Sequence, residues 1–448
     1  MKKTHSRRVM LATALMLAAV TPLAGCSGGS SSGGSSPAAG GSGGASGTDP
    51  SNFTVLTANE NAALSTELDA LAKGKCSAEN KALPLKHQTV AQADTVQKVT
   101  LLASQGALPA HFIAGTAMIR PDGDLGKAGL VQNLKTALTK SGAWGDILPA
   151  ANSTEQNVYG GFVSMPYQYN IEGIWYNKKI FADNGIQEPK TWDALVADSA
   201  KLKQAGVTPM TEGGSDGWPL TRILGMYIFR NVGPNAMKDI QDGKAKLTDP
   251  KYLAGAKALA DYATAGYFGE GVSSRDGDAS SNMFLTGKAA MTYDGSWALA
   301  QINDPKTDVI GAKNVGFMPF PAVKGGAGSI DQYPANAGAP MVVSSKQFGP
   351  KVSDWVTCIA KNYGAQALKD NGTISGFKVN GDVTNISQNT KEIQQRITTI
   401  KQTVLWFEAL FDPKSNSLAS TNVSLLVTGQ MSPDDYMKAL QASIDAAQ

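Results

Sequence analysis

Aromatic and polar residues gather at four points of the chain. Tyr167, Gln168 and Tyr169 follow Met165-Pro166. Asp216, Trp218 and Arg222 lie in and after a glycine-rich loop. Asp294, Ser296 and Trp297 surround a sharp Asp-Gly-Ser turn, and Trp406 and Phe407 sit in the apolar run 405–410. Indole and phenol rings are flat apolar platforms with a polar edge, which suits the C–H faces of a pyranose. Carboxylates and guanidinium groups make bidentate or charge-assisted hydrogen bonds to vicinal hydroxyls. The chemistry on offer is therefore recognition of a sugar. Packing competes with it at each ring. Trp192 and Trp355 lie beside apolar neighbours in helical segments and are expected in the core, Trp218 and Trp297 at a ligand, and Trp406 suits either role.

Other chemistries find little support. The chain has no Walker loop, no HExxH, no GxSxG and no paired CxxC. Its three histidines include His5 near the start, and His87 and His111 alone cannot build a multi-histidine metal site; both read as surface or packing residues. No cofactor or metal is expected. A glycoside hydrolase needs two carboxylates facing one bond, about 5–5.5 Å or 6.5–9.5 Å apart, and Glu60, Asp216 and Asp294 are available for that role. A phosphate or peptide ligand calls for clustered arginines or helix N-termini, and only Arg222 and Arg275 are obvious cationic candidates. A sugar leads; a polyol, a glycerophosphodiester or a peptide stays as the alternative. The body has no basic run, so no nucleic-acid partner is expected.

These residues need a scaffold. Residues 53–57 alternate as a strand, with Asn59-Glu60-Asn61 at its end and an Ala/Leu-rich helix through Leu71. The spacing of Val96, Val99 and Leu102 predicts a helix over 89–104, and 111–114 reads as a short strand. The clearest helix is 192–205: Thr191 can cap it, Trp192, Leu195, Val196, Ser199 and Leu202 share a face, and Gly206 ends it. Helices also fit 219–231, 251–265 and 351–363, and strands fit 289–293 and 315–318. The last helix opens at Ser432 with Pro433 in its first turn and Asp435 three residues on, a capping-box spacing. Short strands alternating with longer helices predict an α/β fold. In open α/β sheets ligands sit beyond the carboxyl ends of strands, and the 294–297 turn is such a place. The body from about Asp49 is long for one hydrophobic core and predicts two lobes.

The N-terminus carries an export pattern. Lys2, Lys3, Arg7 and Arg8 precede an apolar run from Val9 to Val20, which is shorter than the roughly 20 residues of a spanning helix. The following Leu23-Ala24-Gly25-Cys26 resembles the lipobox of bacterial lipoproteins. That resemblance implies cleavage before Cys26, acylation there, and attachment to the outer face of a cytoplasmic membrane. Residues 27–47 are all Gly, Ser, Ala or Pro, a composition that cannot bury apolar surface. Such a tether holds the body within about 25 Å of the membrane and leaves it free to turn. The whole-chain formal charge is +3; without the four basic residues of the signal the remainder is near −1. Cys76 and Cys358 then form an even pair, read as a disulfide in an oxidising compartment or as two buried thiols.

Three stretches resemble the carbohydrate-binding family of ABC-importer solute-binding proteins that includes maltose-binding protein. They are 165–193, with Met-Pro-Tyr-Gln-Tyr, Ile-Trp-Tyr-Asn-Lys and Pro-Lys-Thr-Trp-Asp; 284–297 followed by 315–321; and Gly429-Gln430 leading into the terminal helix. The resemblance implies two α/β lobes joined by crossing segments, a sugar in the cleft, permease subunits as partners, a monomer, and no enzymatic activity. It implies a signal over 1–25, a lipidated tether over 26–48, a first lobe from 49–166 plus 314–375, and a second from 167–313 plus 376–448. It places Trp297 and Trp218-Pro219 at the ligand, and Asn59 and Glu60 where first-lobe polar contacts are usual.

Overall fold

The computed structural model describes residues 47–91, 94–400 and 402–447. The export signal, Cys26 and nearly all of the small-residue segment after it lie outside the described residues. Among those described, no helix is long and apolar enough to cross a membrane.

Two sheets organise the chain. The smaller contains β1 (Phe53–Ala58), β2 (Leu85–Val90), β3 (His111–Ile113) and β9 (Met341–Val343), in the order β2-β1-β3-β9. The larger runs β10-β8-β4-β6-β5, with β7 also on β4. Its strands are β4 (Asn170–Asn177), β5 (Thr208–Thr211), β6 (Ala289–Gly295), β7 (Val315–Met318), β8 (Tyr333–Asn336) and β10 (Thr403–Val404). The α/β class read from the sequence is the observed one. Each sheet is packed by its own apolar clusters: Phe53, Leu68, Trp355 and Ile359 belong to one at the smaller sheet, and Ile174, Leu195, Leu224 and Tyr293 to one at the larger.

Local chemistry explains the helices. Thr191 Oγ1 accepts from the Ala194 amide at 3.2 Å, and Trp192, Leu195, Ser199 and Leu202 form the buried face of Trp192–Gln204. Ser432 caps Pro433–Asp445 by accepting from the Asp435 amide at 3.1 Å and donating to its carboxylate at 2.7 Å. The helix Pro350–Asn371 runs eight residues beyond the expected end at Tyr363. Its first turn is capped from far away in sequence, since Asp49 Oδ1 accepts from the Lys351 and Val352 amides at 3.0 and 3.2 Å. Cys76 and Cys358 are joined by a disulfide with Cα atoms 5.8 Å apart, so this helix is tied to the start of the short helix Ser77–Ala82.

Two expectations need correction. The helix expected from residue 89 begins at Thr95, because 85–90 is β2, paired in parallel with β1. Residues 85–88 alternate between half-buried and exposed, a short period of two that the apolar positions further on obscured. Segment 314–375 does not return whole to the smaller sheet. Both β7 and β8 bond to β4, with Ile174 opposite Met318 and Asn170 opposite Asn336, and the chain rejoins the smaller sheet only at β9.

The chain crosses between the sheets along two neighbouring paths, and again between the helix Pro350–Asn371 and β10. Ser164 bridges Val342 at the smaller sheet, and six residues later Asn170 pairs with Asn336 at the larger. The return path passes Gly338, whose φ of +80° favours glycine and where a Cβ would stand in tight contact, 3.0 Å, with the Gln168 side chain.

Candidate functional site

The turn at the end of β6 meets the start of the helix Trp218–Val232, and here three of the four sequence clusters converge. The rings of Trp218 and Trp297 meet edge to face with centroids 5.8 Å apart. The Arg222 guanidinium lies 5.6 Å from the Trp218 ring centre and 5.4 Å from that of Trp406. Trp218, Trp297 and Trp406 are all half-buried, so each keeps some ring surface toward solvent. Trp192 and Trp355, by contrast, are core: they are 8% and 0% exposed, and the Trp355 indole N–H donates to Leu83 O at 2.8 Å.

Helical spacing positions Trp218 and Arg222 on one face, one turn apart. Gly295 positions Trp297: a Cβ on this glycine would collide with the indole, so the ring folds back over bare backbone. Ser296 is buried, not displayed. Its hydroxyl donates to Asn170 Oδ1 at 3.1 Å and accepts from the Ile171 amide at 3.3 Å, fixing the turn to the crossing strand.

Charge holds this corner together. Arg222 Nη1 donates to Glu172 Oε1, and Nε donates to Glu408 Oε2 at 3.0 Å. The two acids are 0% and 4% exposed at their side chains, and the arginine 14%. Glu172 also accepts from Tyr293 Oη at 3.1 Å and Asn336 Nδ2 at 3.2 Å, while Glu408 accepts from the Thr221 hydroxyl. Burial works against the arginine's charge, but the two carboxylates hold its proton more tightly than in water. Asp294 accepts from the Gly295 amide at 2.8 Å; desolvation raises its pKa to about 7, with the Glu172 charge adding to the rise. Glu212 accepts from the Tyr293 amide at 2.6 Å, and burial pushes its carboxyl well above the usual range.

The remaining sequence candidates scatter. Tyr167 is 4% exposed and packs on Tyr363 and Phe377, with its hydroxyl 2.8 Å from His111 Nε2, so it is a core residue of the smaller sheet and not a platform. His111 is buried between that hydroxyl and Val342 O, and burial lowers its pKa to about 4. Gln168 is half-buried on the crossing path and accepts from Asn170 Nδ2 at 3.0 Å. Asp216 is exposed and accepts from the Gly277 amide at 2.8 Å, which anchors the neighbouring helix Gly277–Leu285. Asn59 is exposed in the short turn after β1, and the Glu60 side chain lies outside the described residues. His87 is 2.9 Å from Asp69 near the protein surface.

Sequence reasoning missed Glu172, Glu408, Asn170 and Asn336. A signal was present for Glu172, a lone acid inside the apolar run 171–176, since a buried charge demands a partner. Nothing local announces that its partner is Arg222. Cys76, Cys358 and Glu79 come close together, but the disulfide uses both sulfurs, which leaves no thiolate pair for a metal.

The chain is similar in sequence and fold to known proteins. The profile of the bacterial extracellular solute-binding proteins matches residues 85–347. A multiple sugar-binding protein of Streptococcus mutans is 27% identical over 264 residues, 56% of this chain and 58% of that one. A probable sugar-binding periplasmic protein of Rhizobium meliloti is 28% identical over 211 residues, 45% and 48% of the two. The chain thus spans about half the length of these relatives. Among solved structures, a chitin oligosaccharide binding protein superposes with a TM-score of 0.77 at 25% identity, covering 88% of this chain and 98% of that one. The binding protein RafE, solved in complex with raffinose, superposes at 0.68 with 16% identity over 88% and 99% of the chains, a likeness of fold alone. Both matches give the two-lobed architecture of solute-binding proteins.

Proposed function

The chain belongs to the bacterial extracellular solute-binding proteins, and on that footing we propose that it is the sugar receptor of an ABC importer, held to the outer face of the cytoplasmic membrane through a lipid on Cys26. The family binds solutes and is not a family of enzymes. The observation that carries the sugar reading is the group of three half-buried indoles, Trp218, Trp297 and Trp406, at the end of β6 beside a carboxylate-rich corner. Rings of this kind stack on pyranose faces while acids and amides take the hydroxyls.

In this reading one lobe forms around the smaller sheet and the other around the larger. They close by bending where the paths 164–170 and 336–341 cross, burying a mono- or oligosaccharide. The closed form then engages permease subunits, and the segment after Cys26 keeps the receptor near them. The partner chains supply nucleotide hydrolysis.

A thermal-shift screen of the purified protein against sugars, polyols, phosphodiesters and short peptides tests this. A ligand at 100 times its Kd stabilises the native state by about 2.7 kcal/mol, which is readily visible. A shift with one carbohydrate class supports the reading. A shift with a peptide or phosphodiester alone overturns the substrate and keeps the fold. For the anchor, a Cys26→Ser variant should leave the membrane fraction; retention there would refute lipidation.

A further inference from the structure

We infer that the site rejects anions: its ligand is a neutral or amine-bearing saccharide, and uronates, sugar phosphates and glycerophosphodiesters are excluded. This rests on the sugar-receptor reading and narrows it.

The inference starts from the cations. The sequence offered two, Arg222 and Arg275, and both are spent internally. Arg222 is clamped between Glu172 and Glu408, with its faces toward Trp218 and Trp406. Arg275 donates to Thr211 Oγ1 at 3.2 Å, Phe268 O at 3.1 Å and Glu270 O at 2.6 Å. Two nitrogens of each guanidinium already donate within the protein, which weakens the bidentate contact a phosphate or carboxylate prefers.

Helix N-termini are the other usual anion sites, and two that open near the tryptophans are closed. The helix Trp218–Val232 has Pro219 in its first turn, which removes a donor, and the Ser420 carbonyl stands against Gly217 just before it. The helix Gly277–Leu285 has its Gly277 amide bonded to Asp216 and its Ala279 amide to Asp276, at 2.8 Å each. The protein's own carboxylates already occupy the places an anionic ligand would need.

The balance of charge points the same way. Glu172, Glu408 and Asp294 surround one guanidinium, and exposed Asp216 adds a fourth carboxylate at the rim. An incoming anion meets net negative charge where water is largely excluded, and like charges brought together in such a place are strongly unfavourable. A neutral hydroxyl belt can donate to these oxygens, and an ammonium group gains further. Discrimination of this kind works by repulsion of the wrong ligand as much as attraction of the right one.

The test is titration calorimetry of the full protein with matched probes. These are neutral gluco-, xylo-, galacto- and chito-oligosaccharides, deacetylated chito-oligosaccharides, oligogalacturonates, glucose 6-phosphate and glycerol 3-phosphate. A neutral or amine-bearing probe should bind, and its anionic counterpart should bind at least about 30-fold more weakly at low salt, the gap narrowing as salt rises. Asp294→Asn and, separately, Glu408→Gln should each shrink that ratio. Equal or tighter binding of an anionic probe, with neutral sugars also bound, overturns the inference and leaves the sugar receptor standing. Failure of every carbohydrate to bind overturns both.

Discussion

Replacing Arg222 by glutamine should destabilise the apoprotein severely, and in a way that depends on pH. The substitution keeps some hydrogen bonding but removes the only positive charge facing Glu172 and Glu408 in the described clamp, acids 0% and 4% exposed. Stranding a buried charge in this manner costs about 3–5 kcal/mol. A chain of this size has an unfolding entropy of roughly 0.8 kcal/mol/K, so the melting temperature should fall by about 4–6 °C. The orphaned carboxylates can escape the penalty by taking up protons. Stability lost at pH 8 should therefore be partly recovered at pH 5, because the folded variant binds more protons there than the unfolded chain does. Adding Glu408→Gln removes one stranded charge, so the double variant should lose less than the sum of the two singles. Differential scanning calorimetry of the three variants across pH 5–8 measures all of this. A loss below about 1 kcal/mol that is flat with pH would show the clamp to be solvated and screened, and would refute both the buried network and the anion rejection built on it.

Three further outcomes are expected. Trp297→Ala should weaken sugar binding about tenfold or more and leave the apo melting temperature almost unchanged; Gly295→Ala, whose Cβ collides with the indole, should reproduce that loss in calorimetric titration, and undiminished affinity in both would remove the ring from the site. Glu67 is buried against the helix Pro350–Asn371, and burial together with the nearby Asp370 charge raises its pKa from 4.5 to about 7. The folded state therefore holds this proton more tightly, and its contribution to stability declines as pH rises from about 4.5 to 7. Glu67→Gln, which can still accept from Asn371, should stabilise by about 1–2 kcal/mol at pH 8 after allowance for screening and by almost nothing at pH 4; an equal gain at both pH values would contradict the shift. Cys76 and Cys358 should resist alkylation in denaturant until reductant is added, and reduction, which opens a loop with a sequence separation of 282, should cost on the order of 5 kcal/mol in the loop-entropy limit; alkylation by mass spectrometry without reductant would exclude the bond.

The sequence alone determined what is encoded within a few residues. The helix Trp192–Gln204, the Ser432 cap and strand β6 with its turn were legible because caps, periodicities of 3.6 and 2, and glycine positions act over short distances. The same local signals picked out Trp218, Arg222 and Trp297, since aromatic and charged residues beside a glycine turn stand where a ligand could reach them. Pairings between distant segments needed the tertiary structure. Asp49 caps a helix about 300 residues away, and 85–90 is a strand because β1 lies beside it. Tyr167 looked like a platform until the fold placed His111, Tyr363 and Phe377 around it. Arg222 looked free until Glu172 and Glu408 arrived from 50 and 186 positions away. A side chain's type is local, but whether it is buried, paired or left for a ligand depends on which remote segments surround it, and folding decides that through the burial of apolar surface and the matching of buried charge.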